Sequence, residues 1–128
     1  MIRTGETYHL LKRSLEGTVK RQDAIASNIA NAATRGYQAN RVDFETGLRE
    51  AMERSRGESP ERRAEAIRNS RILEEKDTST AMNNDGNNVD LDQEMSNLAA
   101  NQIFHQTLIQ QINTRFQMLR SVIFDGRG

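Results

Sequence analysis

The sequence has no cysteine, no tryptophan and a single proline, Pro60. Without cysteine there is no disulfide, no thiolate metal site and no thiol nucleophile, and the redox compartment leaves no mark on the chain. Aromatics make up 5% of the 128 residues, too few for an aromatic ligand cage or one large core. Apolar residues reach only 35%, against about 45–50% in ordinary globular domains. Neither sign of charge is in excess: 18 basic residues balance 18 acidic ones, which removes the positive field that nucleic-acid binding needs. No run approaches the roughly 20 apolar residues of a membrane span, and no apolar stretch follows Met1-Ile2-Arg3 to make a cleavable secretory signal. The expectation is one domain, soluble when made and short of core material.

What is present is a pair of apolar stripes at the two ends. Tyr8, Leu11, Leu15, Thr18, Gln22, Ile25 and Ile29 alternate by three and four, the stripe of a coiled-coil helix. Leu91, Met95, Leu98, Gln102, His105, Ile109, Ile112, Phe116, Leu119 and Ile123 repeat it, with no glycine or proline between Asn87 and Asp125. Asp90 is placed as N-cap with Gln93 three residues on, Asp92 and Glu94 suit the positive end of the helix dipole, and Asp125-Gly126 marks the end. The spacing predicts rods of roughly 40 and 50 Å, too long for a compact small domain. Phe104, Leu108, Gln111, Arg115, Met118 and Val122 form a second stripe on the last helix. Either this widens one packed face or neighbouring subunits cover it. On the second reading the helices are marginal in an isolated chain and gain order on assembly. Met95 to Thr114 carries no charge but many Asn and Gln, which suit interhelical contacts with little water or, equally, a neutral solvated face.

Between the helices, Glu50 to Asp77 holds fifteen charged residues in 28 and is expected to bury little. Glu45/Arg49, Glu50/Arg54 and Glu58/Arg62 are spaced for i,i+4 pairs, and Ser59-Pro60 reads as an N-cap followed by proline at the first helical position. Asn83-Asn84-Asp85-Gly86-Asn87-Asn88 is turn chemistry. The fold expected is all-α: two long terminal helices pairing as an antiparallel coiled coil, joined by an extended segment and a charged, partly helical or irregular middle. The parts are 1–35, 36–89 and 90–128, with both termini forming one structural domain.

The first helix ends in Ala26-Ser27-Asn28-Ile29-Ala30-Asn31-Ala32-Ala33-Thr34-Arg35-Gly36-Tyr37. Ala26, Ala30 and Ala33 permit close helix approach, Asn28 and Asn31 are placed to bond across helices, and Gly36 suits a left-handed cap with Tyr37 folded back. The string resembles the N-terminal signature of flagellar axial proteins, Ser/Ala-Asn-Ile/Leu-Ala-Asn-x-x-Thr-Pro/Thr-Gly-Tyr/Phe. Asp85-Gly86-Asn87-Asn88-Val89-Asp90-Leu91-Asp92-Gln93-Glu94-Met95 and the long amide-rich helix after it resemble the proximal rod members of that family. Arg35 stands where the signature commonly has proline, which loosens the turn.

The resemblance implies a structural subunit of the flagellar basal-body proximal rod, exported by the flagellar type III apparatus without a cleaved signal and located in the periplasmic rod. It implies as neighbours other copies, other rod proteins, the rod-base adaptor, the membrane ring and the export gate. No catalytic residue, cofactor or metal is expected. The expected helix-pairing and subunit-interface residues are Leu11, Leu15, Ile25, Asn28, Ile29 and Asn31 with Leu91, Met95, Leu98, Ile109, Ile112, Phe116, Leu119 and Ile123. Phe104, Leu108, Met118 and Val122 make the second interface stripe. Ser27, Asn28, Ile29, Ala30, Asn31, Gly36, Tyr37, Val89 and Asp90 carry the family motif.

A generic coiled-coil adaptor or export chaperone is the alternative class. An enzyme has less support: His9 and His105 lie on the long helices, and an EF-hand alignment on Gly86 puts Ala81 and Asp92 at the first and twelfth positions, which fails at both. Phosphate-loop and hydrolase motifs are absent from the sequence.

Overall fold

The computed structural model describes residues 4–79 and 82–125. Ala81 and Gly126, invoked above for a calcium loop and a helix end, lie outside them. The described chain runs α1 (Thr4–Ala30), β1 (Asn40–Asp43), α2 (Glu45–Arg54), α3 (Pro60–Arg68), β2 (Leu73–Lys76) and α4 (Leu91–Asp125). It is mostly helical, and the all-α expectation is corrected by a small antiparallel sheet in which Asn40 faces Lys76 and Asp43 faces Leu73. Two strands of four residues cannot stand alone, and this pair leans on α1.

The charged middle buries more than its composition promised. Ala24 of α1, Val42, Phe44, Leu48 and Ile67 form the core cluster, with Leu10, Met52 and Ile72 against it. Phe44 lies over Gly17, where a Cβ would come within 2.2 Å of the ring. The Arg21 guanidinium sits 4.5 Å from the Phe44 centroid and Phe104 of α4 stacks at 6.4 Å. One phenylalanine therefore joins β1, α1 and α4. Gly47 of α2 fits against the Arg71 carbonyl, so the α2–α3 hairpin closes on the entry to β2.

Local signals in this region are partly confirmed. Ser59 caps α3, its Oγ accepting from the Arg62 N–H at 3.3 Å, with Pro60 in the first turn. Asp43 accepts from the Thr46 N–H at 3.0 Å at the start of α2, and that backbone bond holds its carboxyl below the usual range. Of the three expected i,i+4 pairs only Glu58–Arg62 forms, at 3.6 Å. Glu45 turns instead to Arg21 and Glu50 to Arg71, because a tertiary partner holds a carboxylate in place better than an exposed neighbour on the same helix. Burial, the largest single influence, works to raise the Glu45 pKa, but the bond from Arg21, the Glu45 and Phe44 backbone N–H groups and the Arg21 charge together outweigh it, and the net direction is down. At the other end of the hairpin Arg63 pairs with buried Glu6 at 3.3 Å and Arg13 donates to the Ser70 carbonyl at 3.0 Å.

α1 and α4 meet along most of α1, and their contacts run in opposite chain order. Asn28 meets Glu94, Thr18 meets Asn101 and His105, and Tyr8 meets Phe116. The line that α4 turns inward is Glu94, Leu98, Asn101, His105, Leu108, Ile112 and Arg115, all buried or half-buried. It keeps the alternation of four and three but lies between the two stripes seen in the sequence. Leu98, His105 and Ile112 come from the first and Leu108 and Arg115 from the second. Leu91, Met95, Ile109, Phe116, Leu119 and Ile123 are exposed, as are Phe104, Met118 and Val122. On α1, Ile25 is buried, while Leu11, Leu15 and Ile29 are half-buried.

Candidate functional site

The motif residues converge where α1 ends and α4 begins. Asn28, fully buried, uses its whole amide: Nδ2 donates to the Asn40 carbonyl at 3.0 Å and to Glu94 Oε2 at 3.1 Å. Its Oδ1 accepts from the Asn40 N–H at 2.8 Å and the Tyr37 hydroxyl at 3.1 Å. An amide supplies two donors and two acceptor lone pairs, so no other side chain of this size fits. Tyr37 does fold back over the last turn, with Ser27 Oγ 3.0 Å from its hydroxyl.

Glu94 was expected to serve the helix dipole. It is instead fully buried, its Oε1 accepting from Arg41 Nη1 at 2.6 Å, and Arg41 also reaches Asp77 at 3.2 Å. A buried carboxylate needs such a counter-ion and further donors. β1, β2, α1 and α4 are thereby held at one point. Asp90 caps α4 as expected, accepting from the Gln93 N–H at 3.2 Å, but the Gln93 side chain reaches forward to Asn97 rather than back.

α1 stops at Ala30, and turns fill residues 31–36. Asn31 does not cross to another helix. Its Nδ2 donates to the Ser27 carbonyl at 2.9 Å and its Oδ1 accepts from Thr34 at 3.0 Å. The carbonyls of the unfinished turn are taken by Asn87, a residue spacing alone did not single out. Its buried Nδ2 donates to the Asn31, Ala32 and Thr34 carbonyls at 2.9, 3.0 and 2.7 Å, and its Oδ1 accepts from the Val89 N–H at 2.8 Å. Asn88 does the same for the sheet, accepting from the Ala39 N–H and donating to the Asp77 carbonyl. Gly36 and Gly86 both have positive φ, and the Gly36 Cα would lie 3.5 Å from a Cβ on Gly86. The Gly36 N–H bonds the Asp85 carbonyl at 2.9 Å. Ala26, Ala30 and Ala33 are exposed, so the close approach they permit is unused within the chain.

Arg35 is exposed, and the backbone bonds of this turn run from the Thr34, Gly36 and Tyr37 N–H groups. A proline at position 35 removes none of them. Arg35→Pro is therefore expected to change unfolding free energy by less than about 1 kcal/mol, as a urea titration would read. A larger loss would mean that the turn needs a conformation proline cannot adopt.

His105 on α4 meets Thr18 Oγ1 of α1 at 2.8 Å, a contact between the two long helices. Among the described residues no group of three or more His, Asp and Glu side chains could hold a metal ion, and no helix is long and apolar enough to cross a membrane. What the junction can do is mechanical: it fixes the start of one long helix to the end of another. Beyond it, α4 presents Phe116, Met118, Leu119, Val122, Ile123 and Phe124 to solvent, with exposures up to 68% at Val122.

Residues 17–38 match the model of a family described as "Flagella basal body rod protein". The chain is similar to the flagellar basal body rod protein FlgB of Bacillus subtilis (strain 168), 34% identical over 125 residues covering 94% of this chain and 95% of that protein. FlgB of Proteus mirabilis (strain HI4320) is 34% identical over 136 residues with the same coverage. FlgB of Salmonella typhimurium is 29% identical over 125 residues, covering 90% of this chain and 91% of that protein.

Proposed function

Since the chain belongs to the FlgB family of flagellar basal body rod proteins, we propose that it is laid into the proximal part of the rod, with α1 and α4 paired as an antiparallel coiled coil. It is a structural subunit of the flagellar rod and not an enzyme, and it assembles with other rod components. On this proposal its termini, 1–35 and 90–128, make one structural domain and 36–89 a module carried on it. Its neighbours are further copies, other rod proteins, the rod-base adaptor, the membrane ring and the export gate. It reaches the periplasmic rod through the flagellar type III apparatus.

The observation that carries this reading is the apolar end of α4. From Phe116 to Phe124, exposed apolar side chains spread over about two-thirds of the helix circumference, Gln117 and Ser121 holding the rest. A sector that wide exceeds what one partner helix covers, and α1 lies along one side only. The stripe residues Leu91, Met95, Ile109, Phe116, Leu119 and Ile123 and the second-stripe residues Phe104, Met118 and Val122 are on this proposal contacts between subunits. Leu11, Leu15, Ile25, Asn28, Ile29, Leu98, Leu108 and Ile112 serve the pairing within the chain.

Replacing Leu119 and Ile123 together by serine tests it. Both are exposed, at 55% and 53%, so the isolated variant should keep its stability within about 1 kcal/mol. It should nevertheless fail to restore motility to a strain deleted for its own copy, where the unaltered chain succeeds. A motile Leu119→Ser/Ile123→Ser strain would show that this surface is not an assembly surface.

A further inference from the structure

A second feature of the α1–α4 seam calls for something the chain does not supply. A cavity of about 430 Å³ opens between the helices, its walls including Thr18, Asp23, Asn101, Gln102, His105 and Gln106. It is rich in acceptors. The Thr18 hydroxyl has one proton and gives it to the Leu15 carbonyl at 2.7 Å, so toward His105 Nδ1, 2.8 Å away, it can only accept. This assigns the imidazole proton to Nδ1 and leaves Nε2 as an acceptor. Asn101, 4% exposed, donates its Nδ2 to the Thr18 carbonyl and Gln22 Oε1, while its Oδ1 is buried with no donor. Asp23 is exposed, and among the described residues no basic side chain pairs with it. A carboxylate, an imidazole nitrogen and a buried amide oxygen without a donor together ask for a cation with several N–H groups.

The apolar end of α4 carries the complement. Among its exposed apolar residues stands Arg120, its guanidinium 6.0 Å from the Phe124 centroid. Once that helix end is covered, its charge requires acceptors, and a guanidinium presents five N–H donors in a planar fork. Resting on the rod-subunit reading, we propose that Arg120 of one copy seats in the Thr18–Asp23–His105 cavity of a second copy of this chain. In keeping with the rod-subunit reading, the contact is taken as head-to-tail, so that it repeats along an assembly instead of pairing two copies reciprocally. The apolar side chains around Arg120 exclude water from the pair and make its geometry specific.

The absence of cysteine makes a clean test possible in the full chain. Val19 shares a face of α1 with Asp23, and Gln117 shares a face of α4 with Arg120. Phe116, beside Gln117, packs near Tyr8 within one copy, and Val19 is eleven residues further along α1, about 16 Å. A disulfide between Val19→Cys and Gln117→Cys is therefore out of reach inside one chain. The Val19→Cys/Gln117→Cys variant, oxidised at high concentration, should give a ladder of covalent oligomers. Adding Asp23→Asn should lower their yield at least about tenfold, and Asp23→Arg with Arg120→Asp should restore it. No ladder, a ladder indifferent to Asp23→Asn, or dimers from Gln117→Cys alone would each overturn the proposal, as would bonding in assembled rods solely to a different protein. If the unaltered chain restores motility and no ladder forms, only this inference fails. If the unaltered chain does not restore motility, the rod reading fails first.

Discussion

Replacing Asn28 by alanine is expected to cost about 3–5 kcal/mol of unfolding free energy. The substitution removes four hydrogen bonds at a fully buried position. It leaves the Asn40 N–H and carbonyl and one oxygen of Glu94 without that partner. An orphaned buried group costs about 1–3 kcal/mol, and more if charged, while partial relaxation keeps the sum below a simple addition. Asn28→Asp should be worse, although it is nearly isosteric. It sets a carboxylate oxygen where Nδ2 had donated, against the Asn40 carbonyl and the Glu94 carboxylate, so two donations become two repulsions. Chemical denaturation should find the unaltered chain the most stable, Asn28→Ala weaker and Asn28→Asp the weakest. An aspartate variant as stable as the parent would remove Asn28 from the centre of the junction.

Gly47→Ala is expected to lose about 2–4 kcal/mol where helix propensity alone forecasts a gain of about 1 kcal/mol. Gly47 lies inside α2, and at an exposed helical site alanine would be the better residue. Here the added Cβ would stand 2.1 Å from the Arg71 carbonyl oxygen and 2.9 Å from its carbon. Both atoms are backbone, so relief requires the α2–α3 hairpin to move away from the start of β2. That shift would also loosen Leu48, Ala51 and Ile67 in the core. Thermal unfolding followed by circular dichroism reads the sign directly, and a raised midpoint would contradict the packing described. Gly17 faces the ring of Phe44, which has more freedom to yield.

The two long helices, the Ser59-Pro60 and Asp90 caps and the fold-back of Tyr37 were legible in the sequence because each depends on residues a few positions apart. The face that α4 turns toward α1 was not. Apolar spacing drew two stripes, whereas the inward line between them opens on Glu94 and Asn101, whose burial depends on Arg41, Asn28 and Thr18, 53 to 83 residues away. A carboxylate four residues into a helix looks like a dipole partner until the arginine that neutralises it is seen. The same distance hid Asn87, one of four asparagines in a six-residue turn, of which it caps α1 and Asn88 ties the sheet. The core of the middle region escaped notice because its few apolar residues, Phe44, Leu48 and Ile67, are dispersed among charges and find each other only once α2 and α3 fold onto α1.

The capping of α1 by Asn87 also has a bearing on time. Synthesis delivers Asn31, Ala32 and Thr34 long before residue 87, and Asn28 before Glu94. Neither lock can close until some two-thirds of the chain has been made, and closing such a wide loop is a slow, entropically opposed step. The first helix therefore acquires its fixed end only when the last helix begins to form beside it.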